Sequence, residues 1–241
     1  MARRVLPTRL PDDGSRGFTS YSLSRTAPAV DESAVPPDVA AAIAELAGES
    51  ATGSALYLRA DDAILVLPPF PIVESIAYSE IWTRPLAALL EQPRVVAAFL
   101  LRLGGFTCGV FRNEALVDSK TDRRFVKNRH RKGGQSQRRF DRIREKQVHE
   151  LFEKACEEAR EKLGPYEDEI EHVFLGGDRL TLLAFRKECS YFERFGERLL
   201  PRILPVPGDP RKTSLDALPR EIWSSDVYRI AWGRGAEPPA T

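Results

Sequence analysis

The sequence predicts an α/β fold in which helices flank a mixed sheet. The first observation behind this is an almost unbroken apolar run, Val95 to Leu103, followed by two more β-rich runs, Phe106 to Phe111 and Ala115 to Asp118. The second is a stretch from Gln137 to Leu163 whose apolar residues recur at helical spacing, and the third is the alternation of short strand and helix signals after it. A strand meander followed by such alternation is the order expected when helices cover a sheet.

Taken in order, the first fifty residues mix Pro, Ser, Asp and Ala, with a short strand signal at Phe18 to Leu23 and an apolar helical patch at Val39 to Leu46. Ala55 to Arg59 and Ile64 to Leu67 read as a hairpin turning at Asp61-Asp62, and Pro68-Pro69 ends its second strand. Glu80 to Glu91 reads as a helix burying Ile81, Leu86, Leu89 and Leu90. The continuous apolar character of Val95 to Leu103 places it at the middle of a sheet, buried on both faces. Glycines 104 and 105 make the first reversal of the meander, and Arg112-Asn113-Glu114 makes the second.

The long helix is expected from about Gln137 to Leu163, with Phe140, Ile143, Val148, Leu151, Phe152, Ala155, Cys156, Ala159 and Leu163 on its apolar stripe. Ser136 is placed to cap its start, and Gly164-Pro165 stops it. Glu150 with Lys154, and Glu158 with Lys162, are spaced for ion pairs on its wet face. Beyond it come a strand at Ile170 to Leu175, a helix at Arg179 to Lys187, a second helix at Glu193 to Leu200, a strand at Arg202 to Val206 and a helical turn at Ser214 to Leu218. One main domain over residues 53–220 is therefore expected, after a segment 1–52 whose organisation stays open and before a C-terminal tail, 221–241.

Several function classes are disfavoured by composition. The N-terminus meets prolines and aspartates where a secretory signal needs an apolar run, and no stretch is long enough to cross a bilayer, so a cytoplasmic protein without a membrane partner is expected. Cys108, Cys156 and Cys189 are odd in number and far apart, which reads as three separate thiols. His130, His149 and His172 lack the spacing of a metal site, so neither metal nor other cofactor is expected. Net charge is only +1, but its distribution is uneven: Lys120 to Lys146 holds twelve Lys and Arg against three acids, a local +9. That density in one stretch fits a polyanionic partner.

Inside the basic stretch, Arg123 to Arg144 reads RRFVKNRHRKGGQSQRRFDRIR, a loop delivering Gly133-Gly134-Gln135 just before the long helix. Paired glycines let a backbone approach a ligand closely, and flanking cations neutralise phosphates. Arg138, Arg139 and Arg142 fall in the first two helical turns, where the helix dipole disfavours positive charge, an arrangement that a purely structural loop would avoid.

With Ser136, Arg139-Phe140 and Arg142-Ile143-Arg144 following the tripeptide, the sequence resembles the central domain of eukaryotic and archaeal class I peptide-chain release factors. The resemblance runs from about residue 95 to 218 and takes in the strand Gly105 to Phe111 and the Phe174-Leu175-Gly176-Gly177 segment. It is closer still to the Vms/ANKZF peptidyl-tRNA hydrolases, which carry this VLRF-type domain without a codon reader. No Asn-Ile-Lys-Ser stretch, ankyrin repeat or finger-type Cys/His spacing accompanies it here.

The resemblance implies an RNase H-like fold and codon-independent hydrolysis of the peptidyl-tRNA ester at the peptidyl-transferase centre of a stalled ribosome or large subunit. It makes Gly133, Gly134 and Gln135 the catalytic tip. Around them Arg129, His130, Arg131, Lys132, Ser136, Arg138, Arg139 and Arg142 would contact RNA. His130 invites assignment as a base, but among Arg129, Arg131 and Lys132 a phosphate contact fits at least as well. Two other readings stay open: a ribosome- or tRNA-binding module without chemistry, and a nuclease acting near the tRNA acceptor end, with Asp118, Asp122 and Asp178 as imaginable acids.

Overall fold

The structure, a computed structural model, describes residues 3–5, 13–30, 35–127 and 135–232, with the backbone alone at 3–5 and 135–137. Its elements begin with β1 (Arg3–Val5), β2 (Phe18–Ser22), α1 (Pro37–Gly48), β3 (Ser54–Leu58), β4 (Asp62–Leu67), β5 (Ile76–Tyr78) and α2 (Arg84–Glu91). There follow β6 (Val95–Arg102), β7 (Gly105–Arg112), β8 (Ala115–Arg123), α3 (Gln135–Leu163), β9 (His172–Gly177) and α4 (Arg179–Glu188). The series closes with β10 (Leu199–Leu204), α5 (Lys212–Asp216), α6 (Leu218–Ile222) and β11 (Ser225–Ala231).

Contacts divide these elements into two units, one up to Gln92 together with the chain from Trp223, the other from Pro93 to Ile222. The expected divisions at 52/53 and 220/221 do not coincide with them. The first unit is an antiparallel six-stranded sheet in the order β1-β11-β4-β3-β2-β5. It joins β2 from the opening segment to the β3–β4 hairpin, and β11 from the expected tail pairs with β4 from Asp226↔Leu67 to Ala231↔Asp62. Alternation along β3 sends Leu56 and Leu58 towards Val39, Ile43 and Ala47 of α1, and Ala55 and Tyr57 towards Ile81 and Leu86. Both faces of the sheet are thereby covered, which is why β3 has no exposed residue.

Two local expectations for this unit need correction. The second helix starts at Arg84, not Glu80, because residues 80–83 are held by tertiary bonds: Thr19 donates to the Glu80 carbonyl (2.8 Å), Trp82 N–H donates to the Thr19 hydroxyl (3.0 Å), and Asp13 accepts from the Thr83 backbone and hydroxyl. Asp62, read as a turn residue, is the first residue of β4 and is buried. It accepts from Arg59 Nε at 2.6 Å and from Arg229 Nε at 3.1 Å. Burial pushes its carboxyl up, but the two guanidinium groups outweigh burial and hold it below the usual range. Arg59 and Arg229 reach solvent and would not be left as buried charges, so Asp62→Ala, which loses charge-assisted hydrogen bonds, should destabilise the fold by about 1 to 2 kcal/mol in denaturant unfolding, while the exposed Asp61→Ala should stay within about 0.5 kcal/mol.

The second unit is a five-stranded mixed sheet in the order β10-β9-β6-β7-β8. β6 is antiparallel to β7 and parallel to β9, β7 is antiparallel to β8, and β9 is parallel to β10. In this unit's own count the strands run fifth, fourth, first, second, third, the RNase H-like mixed sheet that was expected. Residues 96–101 of β6 are all buried, as a central strand requires. Gly177 at the end of β9 has φ +133°, and a Cβ there would collide with the Leu101 carbonyl oxygen, so only glycine fits.

On one face of this sheet α3 lays down Leu151, Phe152, Ala155, Ala159 and Leu163 at i, i+4 spacing. Phe99 sits at the centre, with ring centroids 5.1 Å from Phe185 and 5.0 Å from Phe192. The same packing corrects the reading of the cysteines. Cys156 on α3 and Cys189 just after α4 are joined by a disulfide, with Cα atoms 5.7 Å apart, because both helices pack on one face. Of the three, Cys108 alone is a free, buried thiol. The helix expected at Glu193 to Leu200 is a 3-10 segment, Ser190–Arg198, broken at Gly196, and the strand after it starts early, at Leu199.

Candidate functional site

β8 and α3 carry the two limbs of the basic stretch. Residues 128–134 between them, which include Arg129, His130, Arg131, Lys132, Gly133 and Gly134, lie outside the described residues. Gln135 is the first residue of α3. Ser136 is therefore a helical residue, not the cap before the helix, and the helix starts two residues earlier than expected. Since the first N–H groups of an α-helix have no intrahelical acceptor, the backbone N–H of Gln135 has none.

The first half of α3 is an arm of exposed and half-buried residues. Between Arg138 and Glu150 no residue is buried, and the core-facing stripe starts with the partly buried Val148 and is buried from Leu151. Phe140, expected on the apolar stripe, is 47% exposed. Arg138, Arg139 and Arg142 are exposed, and no acidic residue occupies the first turn to offset them. Exposed cations beside a helix start, where the backbone N–H groups also carry positive charge, favour an anion brought from outside.

The incoming limb is tied to this arm. Lys127 N–H donates to Gln147 Oε1 (3.0 Å), the Lys127 carbonyl accepts from Arg144 Nε (3.2 Å), and the Lys127 ammonium lies 5.6 Å from the centre of the Phe140 ring. Positions 140, 144 and 147 form one helical stripe, so a single residue is gripped by one face of α3. On the other side, Arg124 N–H donates to the Gly104 carbonyl (3.1 Å), and Val126 packs against the core. The chain entering the segment that holds Gly-Gly-Gln is thus fixed at Arg124, Val126 and Lys127. The sequence reading did not single out this grip; the i, i+4, i+7 spacing of Phe140, Arg144 and Gln147 is its only trace.

The rear of α3 is held on β8 by charge. Glu158 is buried, with Lys154 Nζ at 3.0 Å and Lys120 Nζ of β8 at 3.1 Å, and Lys162 lies 3.6 Å from Asp118. These pairs replace the expected Glu150–Lys154 and Glu158–Lys162 pairs, because the two lysines turn towards the sheet side. Burial pushes the Glu158 carboxyl up, but the lysine contacts outweigh it and hold it below its ordinary value. A carboxylate lowered in the folded state stabilises fully above the unfolded value and loses that contribution as pH falls through the folded one. Glu158→Gln should therefore be less stable than wild type near neutrality, with the difference shrinking below about pH 4.5 in pH-dependent denaturation.

The imagined nuclease acids have local partners instead. Asp178 caps α4, accepting from the Thr181 hydroxyl and N–H, Asp122 accepts from Arg123 N–H, and Asp118 accepts from Ser119 N–H. Among the described residues no group of three or more His, Cys, Asp or Glu is placed to hold a metal ion, and no helix is long and apolar enough to cross a membrane. His149 pairs with Glu188 and Glu153, and His172 lies beside Arg94.

The chain is similar to known proteins over about half of its length. Peptide chain release factor subunit 1 of Archaeoglobus fulgidus is 31% identical over 113 residues, which cover 47% of this chain and 28% of that protein. The same factor from Methanopyrus kandleri is 32% identical over 117 residues, covering 48% and 28% respectively. Each match thus spans less than a third of the relative's length. The crystal structure of an archaeal translation termination factor, aRF1, aligns with a TM-score of 0.41 and 15% identity, covering 87% of this chain and 68% of that one. The model of the Actinobacteria/chloroflexi VLRF1 release factors matches residues 94–228, more than half of the sequence, and the chain belongs to that family.

Proposed function

We propose that the chain is a codon-independent peptidyl-tRNA hydrolase that frees nascent peptides from stalled ribosomes or large subunits, with Gly133, Gly134 and Gln135 as its active tip. The observation that carries this reading is the start of α3 at Gln135, on an arginine-rich arm to which the incoming limb is fixed at Lys127.

In the reaction, a water attacks the ester carbonyl carbon, and the bond from that carbon to the terminal ribose oxygen breaks. The peptide leaves as a carboxylic acid, and the ribose oxygen takes up a proton. Negative charge develops on the carbonyl oxygen during attack, and the Gln135 N–H, which has no intrahelical acceptor at a helix start, is a donor suited to it. The Gln135 side-chain amide has no useful pKa, so it orients water or the ribose 2′-hydroxyl and does not act as a base. Gly133 and Gly134 let the backbone approach the ester. Arg129, His130, Arg131, Lys132, Ser136, Arg138, Arg139 and Arg142 hold RNA phosphates, which orients the tip without reading bases.

Membership of a release factor family and similarity to release factor subunits support the ribosome as partner and the ester as target. The test is peptide release from purified stalled large subunits carrying peptidyl-tRNA and no messenger. Release by the chain alone is the expected result, and binding without release at saturating protein would leave a docking module in place of an enzyme.

A further inference from the structure

Phe125 sits on the incoming limb, two residues past the end of β8, and is 76% exposed. Nothing about its neighbours forces this by looseness. Arg124 N–H is bonded to the Gly104 carbonyl, Val126 is turned into the core, and Lys127 is gripped by α3. The backbone is therefore fixed on both sides of Phe125, and the smaller Val126 takes the inward place that the larger ring does not. Cations surround the position: Arg123 and Arg124 are exposed beside it, and Lys127 joins it to the arm that carries Arg138, Arg139 and Arg142.

We propose that Phe125 is a stacking site for an unpaired RNA base, set beside the phosphate-binding arginines. An aromatic face accepts any base, whereas cations supply the salt-dependent part of RNA affinity, and this segment offers both on a fixed backbone. A single ring gives too little apolar area to hold a membrane, and the density of positive charge does not suit an apolar protein surface. The inference rests on the proposed reading that the basic stretch meets ribosomal RNA or tRNA.

The test measures association of the full chain with large ribosomal subunits carrying peptidyl-tRNA, between about 50 and 200 mM salt. Phe125→Ala should weaken association about tenfold with the salt slope unchanged, Phe125→Trp should keep or improve it, and Arg124→Ala should flatten the slope. Phe125→Leu is the decisive control, since it keeps apolar area but loses the aromatic face; it should bind as poorly as Phe125→Ala. Wild-type affinity in Phe125→Ala, or full rescue by Phe125→Leu, would overturn stacking, the latter in favour of a plain apolar contact with protein or lipid. Thermal unfolding of each variant, expected to match wild type at so exposed a position, separates binding from folding. If wild type itself neither binds nor releases peptide, the proposed function falls with the inference; if wild type does both and Phe125→Ala is unchanged, only the inference falls.

Discussion

Gln135→Ala should lower the rate of peptide release about a hundredfold or more while association with the stalled large subunit stays within about threefold of wild type. Loss of one positioned polar group around a developing oxyanion, or of the group that aligns the attacking water, has effects of that size because neither costs reorganisation at the moment of reaction. The backbone N–H remains in the variant, so some activity above background is expected to survive. The split between rate and affinity separates chemistry from docking, since an amide that only touched RNA would change both together. Release by Gln135→Ala at wild-type rate, measured in single turnover with saturating protein, would remove Gln135 from the mechanism.

The second large effect is expected from the arm. Replacing Arg138, Arg139 and Arg142 together by alanine should reduce the slope of log affinity against log salt by about 2 to 3, because each phosphate contact contributes close to one counterion. Affinity at low salt should drop by at least an order of magnitude. Stability should move the other way or not at all. All three side chains are exposed, and Arg138 lies in the first turn of α3, which lacks an acid, so their removal strands no partner and relieves an unfavourable dipole interaction at Arg138. Weaker binding together with unchanged or higher unfolding free energy marks residues kept for a partner. A stability loss of several kcal/mol would instead make them part of the fold.

How much of this was legible depended on the range of the interactions involved. The two strands of the β3–β4 hairpin, the buried run of β6 and the α3 stripe from Leu151 to Leu163 follow from patterns within a few residues, and they stand close to where the sequence put them. β11 did not announce itself, since Ser225 to Ala231 is half exposed and its partner β4 lies far back in the chain. Cys156 and Cys189 are 33 residues apart, and only the packing of α3 and α4 on one sheet face brings them together. The start of α2 was displaced by hydrogen bonds from Thr19 and Asp13, which no local propensity encodes.

At the candidate site, the tripeptide and its arginines could be named from their letters and spacing, whereas the mechanical part could not. Phe140 looked like a core residue because its spacing continues the apolar stripe, yet it is half exposed and its ring meets Lys127 instead. Gln147 and Arg144 carry no local signal of their bonds to Lys127, which lies 20 and 17 residues away in the sequence. The change along α3 from exposed or half-buried residues to buried ones at Leu151 depends on what packs against the helix, which is a tertiary property.

The decisive measurement is release in heavy-oxygen water from stalled large subunits, followed by mass analysis of both products. Attack of water on the ester would place one heavy oxygen in the carboxylate of the freed peptide and leave a full-length tRNA with an unlabelled terminal ribose. A peptide still joined to a nucleotide, or a shortened tRNA, would mean that a phosphodiester and not the ester had been cut.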